Sequence, residues 1–341
     1  MVGQRLSALL ARRIAGRVVI GGRREQRAVE LAQIIGQGTR GRRVDLDDPS
    51  SIDAGVSSAS LVVNAVSDRD RRLLQAAIAR GVAYVDLCPA LASLHDHETL
   101  HASARASGAQ VVLGAGLSPG ISSAMACAAV QQVTSPHTLD VHVLLSLADD
   151  FGPDSMAFVR QDCVASFQRT EGGAPRDSRA FGEKCEAAFP GIGRRAAYLF
   201  PFSDTFSMPQ ALGLSTVRTW LSLEPPWVGG LLHAVLPRLG SRHEARLQGA
   251  SAVLSRAARR LSNAAPLVGL LVTARGPTGA CSYGLLGRHQ ADATAIGAAG
   301  VVDCVLRGDV VPGCWFAEQV VEPATFFSGL AREGLQVCKV V

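Results

Sequence analysis

The sequence predicts an α/β protein: a doubly wound parallel sheet whose first strand is absent, followed by an α+β domain. Two observations carry the first part. From Val2 to about Gly114 short apolar runs alternate with amphipathic stretches, the pattern of parallel strands joined by crossover helices. Those runs also lack period-two alternation, as strands covered on both faces do. A third observation carries the second part. Past Gly120 the strands become longer and partly alternating, with helices interspersed.

The elements follow in order. A helix from Val2, with Leu6, Leu9 and Leu10 on the same face, ends at Gly16 and leads to a strand at Val18 to Ile20. A helix from Glu25 to Ile35 passes through a glycine-rich turn to a strand around Arg43, Val44 and Asp45. Next come a strand from Leu61 to Asn64, a helix from Arg69 stopped by Gly81, and a strand from Tyr84 to Asp86. A helix over Leu91 to Ala106 and a strand from Val111 to Leu113 complete the first domain. Beyond it lie a helix from Ile121 to Gln132 and a strand from Leu139 to Leu145, whose initial alternation predicts one exposed face. Phe151 to Arg195 reads as irregular. Leu270 to Ala274 and Cys281 to Leu286 read as a hairpin around Gly276-Pro277-Thr278-Gly279, followed by helices from Thr294 to Leu306 and from Pro323 to Arg332.

Composition narrows the function. The 341 residues call for about two domains. With 48% hydrophobic and 18% charged residues the chain is neither disordered nor collagen-like. The net charge of +5 comes from scattered arginines, Lys184 and Lys339 being the only lysines. No basic block marks a nucleic-acid partner. The eight cysteines show no CxxC spacing and sit in apolar segments, as small buried hydrophobes of a cytoplasmic protein do. Pro, Gly, His or Arg interrupts every apolar run before membrane-helix length, which predicts no membrane insertion. The arginine-rich, acid-free stretch Met1 to Arg24 resembles a targeting segment, but its apolar face and the strand after it place it in the fold.

Four motifs bear on chemistry. The first is half a dinucleotide fingerprint. A strand running into G-x-G-x-x-G brings pyrophosphate against free amides at a helix N-terminus. Here Gly3 reads as the final glycine, and the strand and two glycines before it are absent. About 20 residues on, the second strand ends in Gly22-Arg23-Arg24. Arginine at that place suits the 2′-phosphate of NADP, since its planar fork donates two hydrogen bonds to phosphate oxygens; the competing reading is a surface pair at a helix start. Loss of the innermost strand leaves two strand edges unpaired. Either a start upstream of Met1, or another segment in the gap, or a domain that no longer binds nucleotide reconciles this, and the otherwise intact pattern favours the first.

The second motif, Gly116-Leu117-Ser118-Pro119-Gly120, has the G-x-S-x-G form of a hydrolase elbow. Pro119 has no N–H to give an oxyanion, so the motif reads as a tight crossover with Pro119 opening the next helix. In the third, His97 and His101 share a helical face beside His95-Asp96, but without a placed carboxylate they read as a solvated face, with no metal. The fourth is a set of polar residues in apolar surroundings: Asn64, Asp86, Asp149-Asp150, Asp154, Asp162, Arg194-Arg195 and Ser203-Asp204. Asn64 and Asp86 end parallel strands, the edge at which open α/β sheets bind ligands.

Taken in order, these segments resemble saccharopine dehydrogenase-like proteins of the saccharopine reductase type over nearly the whole chain. The markers are Val2-Gly3, Gly22-Arg23-Arg24, Leu61-Val62-Val63-Asn64-Ala65, and Ala77 to Asp86. Gly116 to Gly120 resembles the family's G-x-x-P-G crossover, and Phe189 to Arg195 through Ser203-Asp204 and the helix at Thr294 follow. The resemblance implies a Rossmann-like dinucleotide-binding domain over residues 1–118, a substrate and dimerisation domain over 119–290, and C-terminal helices over 291–341 that pack back on the first domain. It implies an NADP-linked reductase acting on a carbon–nitrogen bond of an amino-acid-derived small molecule. Gly3, Gly22, Arg23 and Arg24 would bind the cofactor's phosphates, Asn64, Ala65 and Val66 would pass beside the pyrophosphate and ribose, and Asp86 would handle the proton. A homodimer is the expected assembly, two-fold symmetry being the commonest. Two other functions remain open: reduction of a carbon–carbon double bond in a lipid or polyketide, for which the apolar stretch Leu221 to Leu239 would line a pocket, and a silent scaffold without a phosphate loop.

Overall fold

The computed structural model describes residues 1–87, 89, 91–149, 163, 166–236 and 265–340. They form two compact units, one of residues 1–120 with 294–321, the other of residues 121–293 with 322–341.

The first unit is built from crossover segments. Helix α1 (Val2–Arg13) buries Leu6, Leu9, Leu10 and Ala11, the face its apolar spacing predicts. Strand β1 (Val19–Gly22), helix α2 (Glu25–Ile35) and strand β2 (Arg40–Arg43) follow, and β1 pairs with β2 in parallel. Strand β2 ends where the sequence reading began it, and the Arg43 side chain pairs with Asp45 and Asp48. Gly41 lets β2 lie on α2: a Cβ there would meet the Val29 nitrogen at 2.3 Å.

Helix α3 (Pro49–Ser57), which the sequence reading missed, starts from Asp48, whose side chain accepts from the N–H groups of Ser50 and Ser51. Strand β3 (Leu61–Asn64) leads to α4 (Arg72–Ala79), held at its start by Asp68, which accepts from the N–H groups of Arg72 and Leu73. Strand β4 (Ala83–Asp86), helices α5 (Leu91–His95) and α6 (His97–Ser107), and strand β5 (Gln110–Leu113) complete the N-terminal part. A strand the sequence reading also missed, β14 (Gly313–Phe316), pairs in parallel with β5 and gives the order β14-β5-β4-β3. Among the described residues no strand joins β1 to β3, so the parallel sheet stands in two pieces, as an absent first strand predicts. Val19 on β1 is 47% exposed in consequence.

Two expectations are corrected here. His97 and His101 are not a solvated face: His97 stacks on Phe316 with ring centroids 4.1 Å apart, and the Nδ1 of His101 lies 2.9 Å from the Cys314 carbonyl oxygen, because β14 packs against α6. Both ring nitrogens of His97 are buried. Pro119 does not open a helix. It packs against Gly114, where a Cβ would lie 2.8 Å from its ring, and α7 (Ser122–Gln131) begins three residues later.

In the second unit seven strands form one sheet: β6 (Thr138–Ser146), β9 (Lys184–Phe189), β10 (Gly193–Leu199), β11 (Thr216–Glu224), β12 (Leu267–Gly276), β13 (Gly279–Arg288) and β15 (Val337–Lys339), in the order β15-β13-β12-β6-β11-β10-β9. Only β6 and β11 pair in parallel. Strands β7 (Ser166–Glu171) and β8 (Ala174–Arg179) form a separate hairpin. Helices α8 (Asp204–Leu212), α9 (Pro226–Val235), α10 (Gln290–Leu306, leading into the first unit), α11 (Ala317–Val320) and α12 (Pro323–Arg332) complete the order.

Helix α7 packs on β6, β12 and β13, while β9 reaches across the opposite face to β12 and β13. The sheet thus folds over a core of Leu144, Phe189, Leu199, Trp220 and Leu271. This corrects the reading of residues 139–145 as half exposed: covered from both sides, β6 is buried from Leu139 onward. It also corrects the irregular reading of residues 151–195, since 166–199 form four strands whose arginines and glutamates pair with each other (Arg169 with Glu171 and Glu183) rather than marking loops. Among the described residues no helix is long and apolar enough to cross a membrane. The apolar stretch from Leu221 divides between β11 and α9, where Trp227, Leu231 and Val235 are exposed, and its last residues, Pro237 to Leu239, lie outside the described part.

Candidate functional site

Four residues meet where β3 and β4 end. The parallel register sets Asn64 opposite Asp86, and the two-residue repeat puts Tyr84 on the same face of β4 as Asp86. The Tyr84 hydroxyl donates to Asp86 Oδ2 at 3.0 Å, and Asn64 Nδ2 donates to Asp86 Oδ1 at 3.3 Å. The Val66 N–H donates to Asn64 Oδ1 at 3.2 Å, and the Leu87 N–H donates to the Asn64 carbonyl at 3.0 Å. Tyr84, Asn64 and Asp86 are buried, whereas Val66 is exposed. The network therefore links the buried ends of β3 and β4 to a surface turn.

The electrostatics keep each donor in its role. Burial, with the nearby Asp86 charge adding to it, holds the Tyr84 hydroxyl well above its ordinary pKa. The phenol therefore stays protonated and donates to Asp86. Burial, again helped by Asp86, pushes the Cys314 thiol on β14 up to about 12, so it is a neutral wall of the site.

The start of α1 lies against this turn: a Cβ on Gly3 would come within 3.3 Å of the Ala65 Cβ. The first turn of α1 holds no acidic residue. At the end of β1, Gly22 leads into Arg23 and Arg24, with Arg24 at the N-cap of α2. Both side chains are exposed and make no ion pair among the described residues. Some other arginines of this unit are engaged, Arg13 with Asp303, Arg71 with Asp96 and Arg80 with Asp53, whereas Arg17, Arg27 and Arg40 are exposed and without an ion pair among the described residues, like Arg23 and Arg24. Exposed guanidinium groups without an ion pair can hold a phosphorylated ligand.

The structure joins Gly3, Asn64, Ala65, Val66 and Asp86 in one cluster, and places Gly22, Arg23 and Arg24 at the end of a separate strand pair. The sequence reading missed Tyr84. Its signal was the Tyr-x-Asp spacing at a strand end, which puts phenol and carboxylate on one face.

The remaining polar candidates serve the second unit. Ser122 donates to buried Asp204 at 2.5 Å, Arg195 pairs with Glu224 at 2.5 Å, and Arg194 with Glu186 at 3.6 Å. Asp149 accepts from the Gln290 N–H at 2.5 Å and lies 3.3 Å from His289 Nδ1. Asp150, Asp154 and Asp162 lie outside the described residues. Among the described residues no group of His, Cys, Asp and Glu could hold a metal ion.

With this geometry in place, residues 1–113 of the 341 match the family described as Saccharopine dehydrogenase NADP binding domain. The saccharopine dehydrogenase fold also extends beyond the NADP-binding segment. Apo saccharopine dehydrogenase (L-Glu forming) from Saccharomyces cerevisiae superposes with a TM-score of 0.66 at 11% identity, over 100% of this chain and 98% of the yeast one. Amine dehydrogenase from Mycobacterium smegmatis gives a TM-score of 0.46 at 13% identity, over 93% of this chain and 94% of the other. DAP dehydrogenase of C. glutamicum, solved with DAP, gives 0.45 at 14%, over 93% and 98%. No curated protein matches the chain.

Proposed function

We propose that the protein is an NADP-dependent oxidoreductase, cytoplasmic and homodimeric, that acts on a carbon–nitrogen bond of an amino-acid-derived substrate. The observation that carries the reading is the pair Arg23 and Arg24, exposed and unclaimed at the end of β1 in a segment that matches the saccharopine dehydrogenase NADP-binding family. In this reading they hold the 2′-phosphate. The α1 start at Gly3 faces the pyrophosphate, and the Asn64–Val66 turn borders the ribose. NADP, when bound, supplies or accepts the hydride, which leaves the protein to orient substrate and manage one proton. Asp86, hydrogen-bonded by Tyr84 and Asn64, is in this reading the group that handles the proton.

The other reading is a scaffold that keeps the fold without binding nucleotide. Calorimetric titration of NADPH, with NADH in parallel, separates the two. Binding of NADPH ahead of NADH supports the reductase, and turnover of amino acid plus keto acid, rather than of an enoyl thioester, supports the carbon–nitrogen chemistry. Absence of binding leaves the scaffold. Light scattering at the mass of a monomer would remove the dimer.

A further inference from the structure

We infer that His289, held from behind by Asp149, is a catalytic residue of the second unit that takes and returns a proton of the water joining or leaving the carbon–nitrogen bond. The inference rests on the carbon–nitrogen reading above and deepens it. Releasing an amine and a carbonyl from a C=N bond needs a water step, which is separate from the hydride step and its proton.

Both residues stand at one end of the seven-stranded sheet. Strands β6 and β13 run in the same direction, each antiparallel to β12 between them. Asp149 lies three residues beyond the end of β6, and His289 directly follows β13. Strand β6 also pairs in parallel with β11, so this is the carboxyl end of a parallel pair, the edge at which α/β sheets take ligands.

Asp149 is buried, whereas the His289 side chain is 49% exposed. Asp149 Oδ2 accepts from the Gln290 N–H at 2.5 Å, and Oδ1 lies 3.3 Å from His289 Nδ1. With the carboxylate accepting, Nδ1 carries the ring proton and Nε2 keeps its lone pair. Among the described residues Nε2 makes no hydrogen bond. A proton acceptor oriented by a third group is the arrangement of a general base.

The backbone holds the ring in place under strain. His289 has φ of 59°, in the left-handed region that side chains other than those of asparagine and aspartate rarely enter. Its N–H donates to the Pro266 carbonyl at 2.8 Å, and its own carbonyl accepts from the N–H groups of Asp292 and Ala293. Glycine would make the same turn at no steric cost, so the imidazole is what the strained residue adds.

In the direction of amine release, the water oxygen bonds to the C=N carbon, the π pair moves to nitrogen, and one water proton goes to Nε2, giving a carbinolamine. In reverse, the Nε2 proton passes to the carbinolamine hydroxyl, which leaves as water.

His289→Asn tests this, because asparagine tolerates the turn and keeps an N–H donor for Asp149. The expected result is a fall of about 100-fold or more in kcat for amino acid plus keto acid, with NADPH affinity unchanged. His289→Gly also fits the turn; it should lose as much and regain part of it when imidazole is added, a recovery that a purely structural role would not give. A further readout needs no substrate. In protein labelled with 15N-histidine, with the His289 signals assigned by their loss in His289→Asn, the ring at pH 8.5 carries its proton on Nδ1. Wild-type kcat in His289→Asn, no recovery of His289→Gly, or any other ring protonation overturns the inference. If the wild type itself turns over no such pair, the carbon–nitrogen reading falls and takes the inference with it.

Discussion

Gly3 and Ala65 approach so closely that a Cβ on Gly3 would sit 3.3 Å from the Ala65 Cβ, which binds the first turn of α1 to the end of β3. That distance grades the substitutions. For Gly3→Ala the contact is tight, and Ala65 must give by a few tenths of an ångström, so we expect a small change in NADPH affinity. Gly3→Val adds two methyl groups at the same place, for about 1–3 kcal/mol of strain, or roughly tenfold in affinity. Calorimetry on both variants checks this, and an unchanged affinity in Gly3→Val would remove α1 from the site.

Arg23 and Arg24 lead to a prediction of the opposite kind. Neither side chain has an ion-pair partner among the described residues, so the double variant Arg23→Ser, Arg24→Ser should melt at the wild-type temperature. Its NADPH affinity should fall by about 10- to 100-fold, the range for charge-assisted bonds to a phosphate, while NADH binding stays as it was. A parallel loss for both nucleotides would place the arginines away from the 2′-phosphate.

How far the sequence foretold this molecule can be read from single elements. Helix α2, strand β3 and helix α12 stand where periodicity and end signals put them, because local pattern and burial agree there. Asn64 and Asp86 were legible for a related reason: a polar residue ending a buried parallel strand stands out against its surroundings. The failures all involve distant partners. Strand β14 is four residues long and was recognisable only through its pairing with β5, some 200 positions earlier. The histidines of α6 looked solvated until β14 covered them. Strand β6 alternates at its start, yet its polar Asp140 and His142 are buried because β9 closes over that face. Tyr84 was read only as the start of its strand, since its hydroxyl meets the carboxylate of Asp86 two residues on.

Gly41 tests the packing of the first unit independently of any ligand. A Cβ there would lie 2.3 Å from the Val29 nitrogen and 2.4 Å from the Ala28 carbonyl carbon, backbone atoms of α2 that cannot swing aside. Gly41→Ala should therefore separate β2 from α2 and lower stability by about 3 kcal/mol, the upper end for overpacking. Gly279→Ala, in a hairpin turn with open space around it, is the matched control and should melt near the wild type. Equal melting of the two variants would mean that β2 does not rest on α2 in solution.

His142 sets the response to acid. Buried beside Trp220, with Nδ1 unpartnered, it has a pKa lowered to about 4 from the ordinary 6.5, with burial as the main cause. Asp140 opposes that shift, and Arg275 reinforces it. Because the folded state holds the imidazole neutral, the unfolded chain binds the proton first as pH falls. The stabilisation is complete above about pH 6.5 and is lost progressively towards pH 4, to a total on the order of 3 kcal/mol. His97, whose pKa burial and His101 also lower, loses stability in the same direction. Urea unfolding of His142→Phe between pH 7 and pH 4.5 should show a shallower fall than the wild type, with Phe retaining the stack on Trp220. Parallel pH profiles for the two proteins would mean that His142 titrates alike in the folded and unfolded chain.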